Sequence, residues 1–270
     1  MKFDLHTHHE RCGHATGTIA EYVEEAINVG LYVIGISDHS PYFAHKDDQP
    51  FPHIAMARSE FGRYVAEVLR VKEIYKDHIE VLLGVESDYF ADKIDIYREV
   101  FAAYPFDYII GSVHQTRGVS IFNRNRWKGL GPTEQTAEKK VYYELIRQSA
   151  ECGLFQILGH IDAMKGYFPA FSDIAGAEAE VDAALQAVAA NDLAIEINTS
   201  GKTKDVGGWY PSDAILERAL HFGVDVTFGS DAHVTERIGD DLELVRQRLK
   251  EIGFSRWVFF RKKEKIVVPI

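Results

Sequence analysis

The stretch "DLHTHHERCGH", residues 4–14, holds four histidines, two carboxylates and a cysteine within eleven positions. Imidazoles and carboxylates are common ligands of divalent transition metals. On an extended chain Asp4, His6 and His8 share one side, while Leu5 and Thr7 face the other. His6 and His8 can therefore bind one ion as an i, i+2 pair. The same spacing recurs for Asp231 and His233 in "GSDAH".

Between these stretches, "SDHS", "GVESDY", "GSVHQ", "GHID" and "EINTSG" contribute His39, Glu86, His114, His160, Glu196 and Asn198. The nine strongest donors are His6, His8, His14, His39, Glu86, His114, His160, Asp231 and His233. One zinc ion takes about four ligands, so this set implies two or three ions sharing a bridging carboxylate. Glu86, the single Glu among the nine, is the expected bridge. A donor set without thiolates suits zinc, manganese or iron. Ions about 3.5–4 Å apart suit displacement at phosphorus, because they can hold both the attacking and the leaving oxygen. His9 is expected to face away from His6 and His8, and Cys12 to be a small packed residue. His45, His53, His78 and His221 fall in loops or helices and are read as ordinary.

Seven short apolar runs must position these donors. They are Lys2–Thr7, Val33–Ser37, Val81–Val85, Tyr108–Val113, Gln156–Gly159, Ala194–Asn198 and Asp225–Gly229. Helical patterns separate them at Ile19–Val29, Ala55–Lys76, Asp92–Ala103, Glu134–Cys152, Gly176–Ala190, Ser212–His221 and Asp240–Glu251. Strand–helix alternation of this kind predicts an α/β fold with a parallel sheet, closed or open. In parallel α/β barrels the active site lies at the C-terminal ends of the strands, where all the donor clusters fall. Thr18 and Glu21 have capping-box spacing, and Gly30, Gly153 and Gly223 stand at helix stops. "WVFFRKKEKIVVPI" reads as two short strands around a charged turn. No linker interrupts the pattern, so residues 1–270 are expected to form a single domain.

Composition narrows the partners. A formal net charge of −11 argues against a nucleic-acid partner. No run approaches the roughly 18 apolar residues of a membrane helix. Two cysteines and a start, "MKFDLHTHHE", without the apolar core of a secretory leader suggest a cytoplasmic protein. Oligomeric state is not legible.

Taken in order, "DLHTH", "SDH", "GVE", "GSVH", "GHID" and "GSDAH" resemble the PHP (polymerase and histidinol phosphatase) metallophosphoesterase family. The resemblance spans nearly the whole chain and implies a distorted seven-stranded (β/α)7 TIM-like barrel. It also implies three divalent ions. His6, His8, Glu86 and Asp231 would hold the first, and Glu86 would bridge to a second held by His114 and His160. His14, His39 and His233 would hold the third.

Within that family, "HHERCGHATGTIAEYVEEAINVGL", "YIIGSVHQ" and "GLFQILGHIDAMK" are most similar to the histidinol-phosphate phosphatases. The implied reaction is hydrolysis of a small phosphate monoester, L-histidinol phosphate, to L-histidinol and phosphate, a step of histidine biosynthesis. Glu86, Asp231 and His233 would stand nearest the chemistry. Asp231 would orient or deprotonate the attacking water, and a histidine or water would return a proton to the leaving alkoxide. Arg117, Lys165 and Asn198 are candidate substrate contacts, and Arg124, Arg126 and Lys128 are weaker ones.

Two features depart from the family pattern. His9 stands where a small hydroxyl residue is expected, and "TRGVSIFNRNRWKGLG" is only loosely similar. Competing readings are another phosphoesterase of the same family, an amidohydrolase-type hydrolase and a protein with structural metals. Amidohydrolases typically bridge their metals with a strand-end lysine, where this chain has Glu86. Structural zinc sites are usually closed and cysteine-rich.

Overall fold

The computed structural model describes residues 1–270. In chain order the elements begin β1 (Phe3–Asp4), α1 (Ile19–Asn28), β2 (Val33–Ile36), α2 (Arg58–Tyr75), β3 (Glu80–Leu83), β4 (Glu86–Asp88) and α3 (Ile94–Ala102). There follow β5 (Ile110–Ser112), a small hairpin of β6 (Gln115–Thr116) and β7 (Val119–Ser120), α4 (Pro132–Glu151), β8 (Ile157–Leu158) and α5 (Glu178–Ala190). The chain ends with β9 (Ala194–Asn198), α6 (Asp213–His221), β10 (Asp225–Gly229), α7 (Leu242–Ile252), β11 (Arg256–Arg261) and β12 (Glu264–Pro269).

Strands β1, β2 and β3 form one parallel sheet. A five-stranded parallel sheet runs in the order β10, β9, β8, β5, β4. The α/β class and its parallel sheets thus agree with the apolar runs and helical periods. β9 and β10 have the predicted bounds, and the C-terminal strands β11 and β12 pair antiparallel around the charged turn.

The predicted third strand divides into β3 and β4 at Gly84. Tyr108 crosses the sheet there, donating its hydroxyl to the Leu5 carbonyl at 2.5 Å. A Cβ on Gly84 would lie 2.4 Å from the Tyr108 ring, and one on Gly35 would lie 1.8 Å from its hydroxyl. Glycine is required at both positions by this close approach. The first strand is also shorter than predicted. Beyond Asp4 the regular ladder gives way to a bridge between Thr7 and Ala232 and to separate backbone hydrogen bonds such as Leu5 to Phe228.

Helix α1 shows how an element is fixed locally. Thr18 accepts from the Glu21 N–H, and Glu21 reaches back to the Thr18 N–H, completing the capping box. Ile19, Tyr22, Val23 and Ala26 form its buried stripe at helical spacing. Burying each large side chain of this stripe contributes about 1.5–3 kcal/mol. No helix is long and apolar enough to cross a membrane.

Candidate metal centre

The nine predicted donors come together at the C-terminal ends of the parallel strands. Glu86 stands at their middle. Its Oε1 lies 3.1 Å from His160 Nε2 and 3.4 Å from His114 Nε2. Its Oε2 lies 2.8 Å from His39 Nδ1, 3.5 Å from His6 Nε2 and 3.6 Å from His8 Nε2. Asp231 Oδ1 lies 3.1 Å from His8 Nε2 and 3.7 Å from His6 Nε2. His14 and His233 meet through their Nε2 atoms, 2.9 Å apart.

Three groupings have the compactness of a metal site: His6–His8–Asp231, Glu86–His114–His160 and His8–His39–His233. His14 lies at the edge of the third, its ring 5.2 Å from His39 and 4.6 Å from His233. A fourth grouping, His8–Cys12–Asp38, was not anticipated. Burial pushes the Cys12 thiol far above its usual range, so it stays protonated, and its Sγ is turned to the His9 carbonyl at 3.2 Å. His9 is buried behind the cluster, with Nδ1 3.3 Å from Asp38 and its ring against Tyr64.

The electrostatics suit cation binding. Burial raises the pKa of Glu86 and Asp231, but the surrounding imidazoles outweigh it and hold both carboxylates well below their usual range. Burial lowers the pKa of His8, yet hydrogen bonds to Asp231 and Asp38 raise it to about 9. Asp88 and Glu86 likewise raise His114 to about 9 against the effect of burial. The imidazole nitrogens of His14 and His233 face the cluster rather than water, and this desolvation, followed by the neighbouring imidazoles, lowers His14 to about 4 and His233 to about 3. Neutral imidazole is the ligating form, and the lowered His14 and His233 are held in it.

Two of the donors also carry backbone strain. His160 and Asp231 have φ of 26° and 53°, in the left-handed region that side chains other than glycine avoid.

Behind the clustered imidazoles stands a layer of carboxylates. His6 Nδ1 lies 2.6 Å from Glu196, His8 Nδ1 3.1 Å from Asp38, and His114 Nδ1 2.6 Å from Asp88. None of the three carboxylates was singled out from sequence for a role. The alternation of Glu86 with Asp88, and of Glu196 with Asn198, is the signal that could have found two of them. Asp4 is spent structurally, accepting from the Ser230 and Gly239 N–H groups at 2.9 Å each.

The donors open into a cavity of about 560 Å³, also lined by Tyr42, Phe122, Tyr167, Tyr210, Lys204 and Arg237. Here the expected substrate contacts need correction. Arg117 lies outside the cavity lining, exposed and paired with Glu138 at 2.9 Å. Lys165 is only 3% exposed and forms an internal ion pair with Asp162 at 2.7 Å. Asn198 is fully buried and donates to Glu196 at 2.9 Å and Asp231 at 3.2 Å, so it braces the site from behind. Of the weaker candidates, Arg124 pairs with Asp205 at 3.0 Å, and Arg126 with Glu138 at 3.3 Å.

The cations at the cavity are instead Lys204 and Arg237, from the loops after β9 and β10. Lys204 Nζ lies 3.1 Å from Ser200 Oγ, and Arg237 pairs with Asp240 at 2.8 Å. Burial lowers the pKa of Lys204, an effect that Asp231 partly offsets.

A parallel α/β fold with an imidazole–carboxylate cluster at its strand ends defines a class of candidate metal-dependent hydrolases. Residues 4–200 match the PHP domain family, and the chain belongs to that family. It is 30% identical over 261 residues to a Deinococcus radiodurans protein named "Probable histidinol-phosphatase", covering 97% of each chain. It is 30% identical to the histidinol-phosphatase of Bacillus subtilis, covering 92% of this chain and 99% of that one. The fold matches that of Lactococcus lactis histidinol phosphate phosphatase, solved in complex with zinc, L-histidinol and phosphate. That match has a TM-score of 0.81 at 21% identity and covers 98% of each chain.

Proposed function

We propose that the protein is a divalent-metal-dependent phosphatase that hydrolyses L-histidinol phosphate to L-histidinol and phosphate. One observation carries the metal dependence. His6 Nε2 is buried without a hydrogen-bond partner, and Glu86 Oε2 and Asp231 Oδ1 stand 3.5 and 3.7 Å from it. Buried polar atoms left unpaired cost about 1–3 kcal/mol each, and a cation among them removes that cost. The substrate is supported by the full-length relatives named histidinol-phosphatase.

In this reading His6, His8, Glu86 and Asp231 hold one ion, and Glu86, His114 and His160 a second. His14, His39 and His233 hold a third, and zinc, manganese or iron suits these donors. When bound, the ions supply positive charge that stabilises a phosphoryl transition state. Asn198 and Ser200 hold Asp231 Oδ2 at 3.2 and 2.8 Å, which leaves Oδ1 facing the cluster to orient an attacking water and take its proton. Lys204 and Arg237 offset the charge of the phosphate at the cavity wall. Tyr42, Phe122, Tyr167 and Tyr210 offer flat apolar surface to the imidazole of the alcohol.

We infer further that the two sheets close into one seven-stranded barrel within a single domain. Supporting this, Leu5 and His8 donate across from β1 to the Phe228 and Ala232 carbonyls at 3.1 and 2.9 Å. At the other junction, Gly84 donates to Ile36 at 2.8 Å and Ile110 to Val85 at 2.9 Å, so β3 and β4 act as one interrupted strand. One continuous cluster of 71 buried apolar residues runs through the chain, as a single domain requires.

The substrate is tested by phosphate release from a panel of monoesters with added zinc or manganese. L-Histidinol phosphate is expected to exceed simple alkyl and aryl phosphates in kcat/KM by at least about 100-fold, roughly 2.7 kcal/mol of selective recognition. Equal rates across the panel would reduce the assignment to a phosphatase of other specificity.

A further inference from the structure

We propose that Glu196 is the positioning carboxylate of the metal centre, fixing the tautomer of His6 and tying His160 and Asp231 to the same point. The inference rests on the metal-centre reading above. Glu196 is 1% exposed, sits mid-strand in β9 and touches no cavity surface. Its two oxygens meet only donors. Oε1 accepts from His6 Nδ1 at 2.6 Å, while Oε2 accepts from the His160 N–H at 3.1 Å and Asn198 Nδ2 at 2.9 Å. Asn198 Nδ2 also donates to Asp231 Oδ2 at 3.2 Å. One carboxylate therefore reaches a ring of the first donor group, the backbone of the second, and, through Asn198, the carboxylate beside both.

Glycine makes room for this contact. A Cβ on Gly229 would lie 2.0 Å from Glu196 Oε1 and 2.5 Å from the His6 Cβ. An ionised carboxylate only accepts, so the proton of His6 must sit on Nδ1, and Nε2 is the nitrogen left for an ion. Asp38 and Asp88 act on His8 and His114 in the same sense, and Asp38 also accepts from the His39 N–H at 2.9 Å, but neither reaches Asp231 as Glu196 does through Asn198.

Glu196→Gln separates positioning from bulk. Glutamine keeps the shape but presents one donating end. If its NH₂ faces His6, the ring proton moves to Nε2 and blocks the ion. If its NH₂ faces Oε2's partners, it opposes two donors, the His160 N–H and Asn198 Nδ2. The experiment measures zinc affinity of wild-type and Glu196→Gln protein by chelator competition, with unfolding temperature measured with and without zinc.

The expected result is a roughly 10–100-fold loss of zinc affinity. The metal-free unfolding temperature should be retained, and the zinc-dependent rise in it reduced. A variant that binds zinc within about twofold of wild type would overturn the inference while leaving the metal centre intact. A wild-type protein that binds no zinc would overturn the metal-centre reading and the inference with it. Should the variant not fold, ¹⁵N-histidine spectra of zinc-loaded wild type decide: His6 retaining a proton on Nδ1 supports the proposal, and His6 without one overturns it.

Discussion

The Nε2 atoms of His14 and His233 lie 2.9 Å apart at the most exposed corner of the donor cluster. His14 is exposed and the His233 side chain is 30% exposed, whereas that of His6 is fully buried. An ion held here would exchange with solvent most easily. His14→Ala should remove about one ion per chain, with a change of at most about 0.5 kcal/mol in metal-free stability, as for other surface substitutions. Metal content and urea unfolding of the metal-free protein check this. Unchanged metal content would remove His14 from the ligand set.

Lys204 and Arg237 line the cavity, while Arg117 does not. A hydrogen bond to a charged group is worth about 1.5–3 kcal/mol. Lys204→Ala or Arg237→Ala should therefore lower kcat/KM by roughly 10–150-fold, with metal content retained. Arg117→Ala should leave it within about twofold. Steady-state kinetics with the three variants distinguish the two assignments, and a large loss confined to Arg117→Ala would reverse them.

Lys165 and Asp162 form an ion pair at 2.7 Å with both side chains at most 3% exposed. Removing one member of such a pair leaves an uncompensated buried charge, at a cost of about 3–5 kcal/mol. Lys165→Met should destabilise the protein by that amount in chemical unfolding and affect phosphate release only as far as folded protein is lost. Full stability together with a raised KM would restore Lys165 to the substrate site.

These cases show where sequence is informative. β9 and β10 are five-residue runs closed by chemically distinct residues, so their bounds were readable, as were Asp231 and His233 just after β10. Strand direction then assigned every cluster to one end of the sheets without any distance being known. The cations that line the cavity were not readable in this way. Lys165 and Lys204 both follow strand ends, and only packing shows that one is sealed against Asp162 while the other faces the cavity. Glu196 and Asp88 were hidden for a related reason. A strand-end carboxylate can bind an ion or brace the ring that does, and alternation gives both the same side of the strand. Gly84 and Gly35 divide and thin the sheet because of Tyr108, a contact between residues 24 and 73 positions apart in the chain.

In the proposed function Glu86 joins these histidines into one multinuclear centre. That role is tested most directly by counting divalent ions per chain in wild-type and Glu86→Ala protein by elemental analysis. Two to three ions are expected in the wild type, with at least one lost from Glu86→Ala. A wild-type chain holding no ion, a single ion bound through Cys12, or a Glu86→Ala protein with undiminished metal would contradict it.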